Sequence, residues 1–594
     1  MSPVRTVPIG AYGMVGDTRT AALVAPDGSV DWLCAPRFDS PPLFGRLVGG
    51  PDGGSFRLAP AGRVLATGRR YLPGTATLVT TWAVDGAELE LTDALVADVE
   101  GRLLPATLLV RRVTCRAGPA RLDVRLDPRF GYRQRRAARV RRSAGALVWE
   151  AGDLAVAATT NRADLALDRP AEIELGPGES LTVVLAVSSR EPLVVVPPAS
   201  ALEVLAGDEN RWRLWCSGLH VPLGLDVVER SLMTLRLLTY SPSGAPVAAP
   251  TTSLPELLGG ERNWDYRYAW PRDASIGIAA FLDARRHEEA RAFLAWLLHA
   301  SRLTRPRLPV LFTVHGQPGP PEHLLPWAGY AGSRPVRRGN AASTQHQLDG
   351  YGWVIDAAWL LAATGHGLYA ETWRTLRGMA DHVARSWQLP DAGIWEKRGE
   401  PLQHVHSKLM AWVALDRALR IGDARGEAGG RRAAGWRHQR EALAADVRRH
   451  GFDERRGAYT AGYGSPDLDA ALLLLPRLGF EPRTGSRVLG TVDAIRRELG
   501  AGGPLVHRYL PGTDGLEGGE GAFLPCSFWL VEALARTRRR DQAVEVFEQV
   551  CGLGGELGLF GEEMDPGTRE HLGNYPQALT HSSLVQAAAA LAGG

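Results

Sequence analysis

Near residue 200 the hydrophobic periodicity of this chain lengthens from two residues to 3.6, and that switch limits the fold more than any other feature. Before it, the runs TATLVTTWAV (75–84), ELELTDALVA (88–97), TLLVRRVTC (107–115), ARLDVRLD (120–127), ALVWEA (146–151) and SLTVVLAVSS (180–189) are separated by Gly, Pro and Asp turns. Side chains alternate between the two faces of a strand, so these runs suit half-buried strands, and residues 1–200 are expected to form an antiparallel β-sandwich. PLVVVPPAS (192–200) ends that half. A helical stretch over 202–216 then predicts a connector within 201–223.

From residue 224 to 594 the helical period predicts helices over 224–241, 274–284, 287–302, 347–365, 369–388, 406–424, 433–451, 468–479, 487–499, 522–537, 540–552 and 582–593. Twelve helices with mostly short connections favour antiparallel neighbours, and six such hairpins closed in a ring make an (α/α)6 barrel. The expected class is therefore a multidomain β + α protein, sandwich first and barrel second. In an up-and-down array, two loops share an end when an even number of helices separates them. Four predicted helices lie between the loop ending at Asp273 and the loop holding Glu396, and six more precede the loop holding Glu562. All three loops are expected at one mouth.

Composition narrows the partners. A chain of 594 residues, 45% apolar, can bury a large core. The net charge of +3 is spread out, apart from short Arg clusters such as Arg133 to Arg142, so nucleic acid is not expected. Cys34, Cys115, Cys216, Cys526 and Cys551 form no CxxC pair and read as reduced core thiols of a cytoplasmic protein. The first residues lack an apolar leader, and no apolar run approaches the ~18 residues of a membrane span, so no membrane partner is expected. No cofactor is implied, and the sequence leaves the oligomeric state open.

Three loops carry the chemistry. GGERNWDYRYAWPRDAS (259–275) gathers Trp264, Tyr266, Tyr268 and Trp270 around Asp265, Arg272 and Asp273. Asp273 can be read as a helix N-cap, or with Arg272 as a polar pair for a neutral polyol whose faces stack on the aromatic rings. DAGIWEKRGE (391–400) puts Glu396 directly after Trp395, an indole that can lower the local dielectric and keep the acid protonated. Lys397 and Lys408 are the only two lysines, and both are expected to contact substrate as compact cations where a planar guanidinium does not fit. GLFGEEMDPGTREHLGNYPQALTHSS (558–583) supplies Glu562, Glu563 and Asp565. Two carboxylates facing each other across a sugar pocket are the equipment of glycoside hydrolysis. His404 and His406 have no third ligand in view, so no metal site is expected.

IGAYGMVGDTRTAALVAPDGSVDWLCAPRFDSPPLFGRL (9–47) resembles the N-terminal domain of bacterial trehalase-like proteins of glycoside hydrolase family 15. YRYAWPRDAS, GIWEKRG, HSKLMAWVALDRALRI, EGAFLPCSFWLVEALA and GEEMDPGTREHLGNYPQALTH are similar to successive motifs of that family's catalytic domain. The resemblance implies a β-sandwich and an (α/α)6 barrel, cleaving α-glucosidic bonds from the non-reducing end with inversion. It also implies Glu396 as general acid, Glu562 as general base and Arg272 with Asp273 as the clamp on the terminal glucose. Tyr266, Trp270, Trp395, Lys397, Lys408 and Glu563 are expected as further substrate contacts, with Glu563 and Glu520 as rival bases. Gly561, where relatives have Ser, and Trp353, where Glu is expected, depart from the pattern. The expected substrate is α,α-trehalose. Malto- or isomalto-oligosaccharides are the alternative, and a disaccharide phosphorylase or a silent glucan-binding protein are alternatives of another kind.

Overall fold

Each of the six alternating runs is a strand in the computed structural model, which describes residues 6–62, 64–99, 102–103, 106–427, 429–513 and 518–593. Residues 1–5, on which the reading of a missing leader partly rests, and residue 594 lie outside the described residues. The strands build two antiparallel sheets, one of seven strands and one of eight. Thr107–Ala117 sits at the centre of the larger sheet, paired to Ala87–Leu95 on one side and Ser180–Ser189 on the other. Arg111 on that strand is fully buried and ties the sheets together. Its guanidinium meets Asp93 at 2.6 Å within its own sheet and donates to the carbonyls of Phe56 (2.6 Å) and Gly28 (2.8 Å) in the other. A charge this deep persists because each of its three nitrogens has an acceptor, one of them a carboxylate.

The connector is a helix over Pro198–Ser217, longer than expected by a turn at its start because Pro198 suits a first helical position. It lays Ala201 and Leu205 on the outer face of the larger sheet, against Val96, Leu108 and Val110.

The helical half holds, among the described residues, the expected twelve helices: α1 (Asp226–Leu237), α2 (Pro271–Asp283), α3 (His287–Ala300), α4 (Asp349–Ala363), α5 (Ala370–Ser386), α6 (Val405–Ala424), α7 (Arg431–His450), α8 (the 3-10 turn Ala470–Leu474 continuing into Leu475–Leu478), α9 (Ser486–Glu498), α10 (Leu524–Arg536), α11 (Arg540–Cys551) and α12 (Ala578–Ala592). Even-numbered helices form the inner ring. α2 packs on α4, α4 on α6, α8 on α10, α10 on α12, and α12 closes back on α2; Arg417 of α6 donates to the Leu478 carbonyl of α8 at 2.9 Å. Inner helices are buried nearly all round, their few charged residues paired inside, whereas the outer α5 and α9 bury one stripe. Close approach is bought with glycine at one point: a Cβ on Gly352 of α4 would lie 2.2 Å from the Met410 carbonyl of α6.

The two halves share one hydrophobic core. They also interlock through polar contacts behind the 263–270 loop. Arg267 is wholly buried, paired with Asp265 at 2.7 Å, and donates to the Ser40 carbonyl (2.9 Å) and the Tyr132 hydroxyl (3.3 Å) of the β half.

Candidate active site

The even-number reading of the loops is correct. Segments leading into the N-termini of α2, α4, α6, α10 and α12 line one pocket of about 820 Å³, open at its mouth. Its wall includes Tyr266, Trp270, Arg272, Asp273, Gln345, Trp395, Glu396, Lys397, Arg398, Arg508, Tyr509 and Phe523.

The pocket floor is the first turn of α2. Pro271 occupies the first helical position and Trp270 is the N-cap residue, without a side-chain cap. Asp273 is therefore inside the helix, which corrects its reading as the N-cap. Its carboxylate lies in the first turn, where the helix dipole favours negative charge, and accepts from Arg272 Nε at 2.7 Å. A second nitrogen of Arg272, Nη1, donates to the Ile394 carbonyl at 2.7 Å, pinning the floor to the loop that carries Glu396.

Glu396 sits in a left-handed backbone conformation, φ 58°, one that L-residues with a Cβ adopt only where the surroundings enforce it. The enforcement is visible. Gln345 Nε2 donates to the carbonyls of both Glu396 and Lys397 at 3.1 Å, and the Glu396 amide donates to the Gly393 carbonyl at 3.3 Å. The Glu396 carboxyl accepts from Trp270 Nε1 at 2.8 Å and meets Arg272 Nη1 at 3.4 Å. The indole that touches the acid thus comes from a loop 126 residues earlier, not from its neighbour in sequence. Trp395 turns away to donate to Asp469 at 2.8 Å, with its ring against Phe523. Burial raises the Glu396 carboxyl above its ordinary value, against the opposing pull of Arg272.

Glu562 is fully buried behind Tyr266, whose hydroxyl donates to Oε1 at 2.6 Å, while the Asn574 amide donates to Oε2 at 3.3 Å. Burial, reinforced by Glu256, pushes its carboxyl up to about 8; Arg508 and the Tyr266 hydroxyl pull the other way. Tyr266 and Trp270 stand edge to face, ring centres 5.5 Å apart, so one aromatic pair holds both carboxyls. Gly573 is required beside Glu562: its φ is 69°, and a Cβ there would lie 2.5 Å from Glu562 Oε2.

Two expected substrate contacts do not reach the pocket. Lys408 lies inside α6, fully buried, and donates to the carbonyls of Trp387 and Leu389 just past the end of α5 (2.7 Å to Leu389), where it satisfies helix-end acceptors. Burial lowers its ammonium to about 8. Glu563, which opens the two-residue strand Glu563–Met564 directly after Glu562, turns instead into a buried cluster with Glu256, Glu520 and Arg508. It accepts from the Gly521 amide at 2.8 Å. Glu520 is held there too, bonded by Arg508 at 2.9 Å, which removes it as a base on the pocket side. Lys397 does line the pocket, its ammonium 4.9 Å from the centre of the Tyr509 ring. Asp565 caps its own turn through the amides of Gly567 and Thr568. His406 is buried beside Trp353, with its ring lowered to about 3 by burial. Tyr268 is buried outside the pocket wall, and Trp353 donates to Asp349 within α4.

Sequence reasoning missed Gln345, Arg398, Arg508, Tyr509 and Phe523. Arg398 and Phe523 fall inside quoted motifs, GIWEKRG and EGAFLPCSFWLVEALA, and were within reach. Gln345, Arg508 and Tyr509 carry no local signal, since only the convergence of inner-helix N-termini brings them in.

A crater with a fixed Arg–Asp pair on its floor and Glu396 in its wall, with a second carboxyl, Glu562, held behind the wall residue Tyr266, cut into the end of an (α/α)6 barrel, defines the class: these are glycoside hydrolases. Within the class the comparisons are specific. The chain belongs to glycosyl hydrolases family 15, whose family model matches residues 223–589, and a trehalase-like N-terminal model matches residues 2–161. It is 36% identical to a trehalase of Mycolicibacterium smegmatis over 98% of this chain and 90% of that protein. It is 32% identical to a trehalase of Thermoplasma volcanium over 97% of this chain and 92% of that protein. A crystal structure of bacterial glucoamylase complexed with acarbose superposes with a TM-score of 0.71 at 13% identity, covering 99% of this chain and 94% of that one, a likeness of fold alone. None of the helices among the described residues is long and apolar enough to cross a membrane.

Proposed function

We propose that the protein is an inverting, exo-acting α-glucosidase that hydrolyses α,α-trehalose and releases β-D-glucose from the non-reducing end. The observation that carries this reading is the shared aromatic pair, Trp270 on Glu396 and Tyr266 on Glu562, beside the Arg272–Asp273 floor. Trehalase relatives matching nearly the whole chain support the substrate.

In this mechanism Arg272 and Asp273 hold the hydroxyls of the terminal glucosyl unit. Glu396 donates its proton to the glycosidic oxygen, while Glu562 takes a proton from the water that attacks C1 from the opposite face. Trp270 N–H is a neutral donor and leaves the carboxyl of Glu396 free to carry its proton. A base works best when its pKa lies near the operating pH, and burial moves Glu562 toward that range. The β half, residues 1–200, and the barrel, residues 224–594, act as one unit in this proposal, and Arg267 makes the sandwich part of the support of Tyr266. The five cysteines, all free, support a reducing cytoplasmic setting.

Proton NMR of the first products from trehalose tests the stereochemistry: β- and α-glucose in equal amounts are expected, because the attacked unit is inverted and the leaving glucose keeps its α-anomeric centre, and α-glucose alone rules the mechanism out. A panel of trehalose, maltose, isomaltose and maltotriose in phosphate-free buffer tests the substrate, with turnover there excluding phosphorolysis. Glu396→Gln is expected to remove roughly 10²- to 10⁴-fold of kcat and little of KM.

A further inference from the structure

Beyond the two carboxyls, the pocket wall changes character toward the mouth. Side-chain exposure rises from 6% at Asp273 through 13% at Arg272 and 18% at Glu396 to 35% at Arg398, which orders these residues by depth. Arg398 is the outermost of the four, two residues past Glu396, and it is not left to move. Its Nη2 donates to Glu322 Oε2 at 2.7 Å, and its guanidinium lies 4.3 Å from the centre of the Trp264 ring. The other oxygen of Glu322 pairs with Arg337 at 3.1 Å, and Arg337 lies 4.5 Å from the same ring. Arg337 is rigid, 7% exposed, and donates to the carbonyls of Glu261 (2.7 Å) and Asn263 (3.0 Å). Trp264 is fixed through Nε1 to Glu256 at 2.8 Å. Glu322 stands just before the hairpin His323–Leu325 and Val336–Arg338, in the long connection between α3 and α4.

We propose that Glu322 and Arg398 form a latch across the mouth, which fits the outer half of the pocket to the second glucosyl unit of a disaccharide and shuts out a third. The inference deepens the reading given above and rests on it. Arg398 and Trp264 are pocket wall, whereas Glu322 and Arg337 stand behind them. Glu322 is thus a positioning residue, acting through Arg398. An ion pair this exposed adds little to folding stability. Its cost in side-chain freedom makes sense as shape: a planar guanidinium locked at both its stacking and its pairing face offers fixed donors to the hydroxyls of a leaving glucose. Bound to trehalose, the second ring meets Trp264 and Arg398, and its outward side has no path for a further α-linked unit. With Glu322 neutralised, Arg398 swings free, the second ring loses its fixed donors, and the mouth admits longer chains.

The test is steady-state kinetics of the full-length enzyme on trehalose and maltotriose, comparing wild type with Glu322→Gln, Glu322→Asp and Arg398→Met. For Glu322→Gln the ratio of kcat/KM for trehalose to that for maltotriose is expected to fall about tenfold, through a raised KM for trehalose, with kcat within about threefold of wild type. Glu322→Asp, which keeps the charge, is expected to recover part of the ratio. Arg398→Met keeps a stem on Trp264 and is expected to lose the preference as Glu322→Gln does. A ratio unchanged within about twofold in both charge-removing variants overturns the latch, as does an equal fall in kcat on both substrates. A wild type that prefers maltotriose sinks the substrate reading itself, so the two failures are told apart by the wild-type ratio.

Discussion

Tyr266→Phe isolates the hydrogen bond that tunes the proposed base, Glu562. The substitution removes one O–H, donated over 2.6 Å to a buried carboxyl, and keeps the ring that stands against Trp270. A hydrogen bond to an ionised group in such a site is worth about 1.5–3 kcal/mol. At about 1.36 kcal/mol per pKa unit, losing it raises the carboxyl by roughly one to two units. The sign follows from the donor: Tyr266 stabilises the ionised form, so its loss disfavours that form. Burial and Glu256 have already moved the carboxyl to about 8, and the variant goes further in that direction. Below the pKa the ionised fraction falls tenfold per unit, so kcat/KM near neutral pH is expected to drop about 10- to 100-fold and to recover as the pH rises. The assay is glucose release from trehalose across pH 5 to 10, with circular dichroism to verify the fold. An acid limb that stays in place, or a rate loss equal at every pH, refutes the assignment of Tyr266 and Glu562 to one titrating unit.

Glu562→Gln is expected to abolish turnover and to stabilise the fold at alkaline pH. A carboxyl raised from 4.5 to about 8 contributes stability that is full below pH 4.5 and is lost as pH rises through 8. The wild type should therefore lose thermal stability between pH 5 and pH 8, and the variant should lose less; calorimetry showing parallel curves would contradict this. Gly573→Ala is expected to cost about 1–2 kcal/mol from the left-handed backbone alone and to displace Glu562 Oε2, lowering kcat more than KM. Wild-type kinetics in that variant would refute the proposed role of Glu562 as base.

Local periodicity made the architecture readable. Strands such as Thr107–Ala117 and Ser180–Ser189 alternate because one face meets the core, and helices such as α5 repeat every 3.6 residues for the same reason. Counting helices was enough to bring the loops of Asp273, Glu396 and Glu562 to one end of the barrel, because up-and-down connectivity converts a count into a position. Motif resemblance supplied Glu396 and Glu562 as the two acids. The order of strands within the sheets was not readable, since β pairing joins segments far apart, as Leu109 beside both Leu95 and Leu185 shows.

What the sequence by itself determined, then, is what short-range pattern can encode: two halves, twelve helices, and which loops hold the chemistry. Tertiary structure decided which side chain each of those loops presents to which neighbour. It gave Glu396 its indole from Trp270 and sent Trp395 to Asp469. It sent Lys408 to backbone carbonyls beyond the end of α5, and turned Glu563 into the cluster with Glu256 and Glu520. Such pairings form only when five inner-helix N-termini meet, across separations at which no residue carries a local mark of its partner.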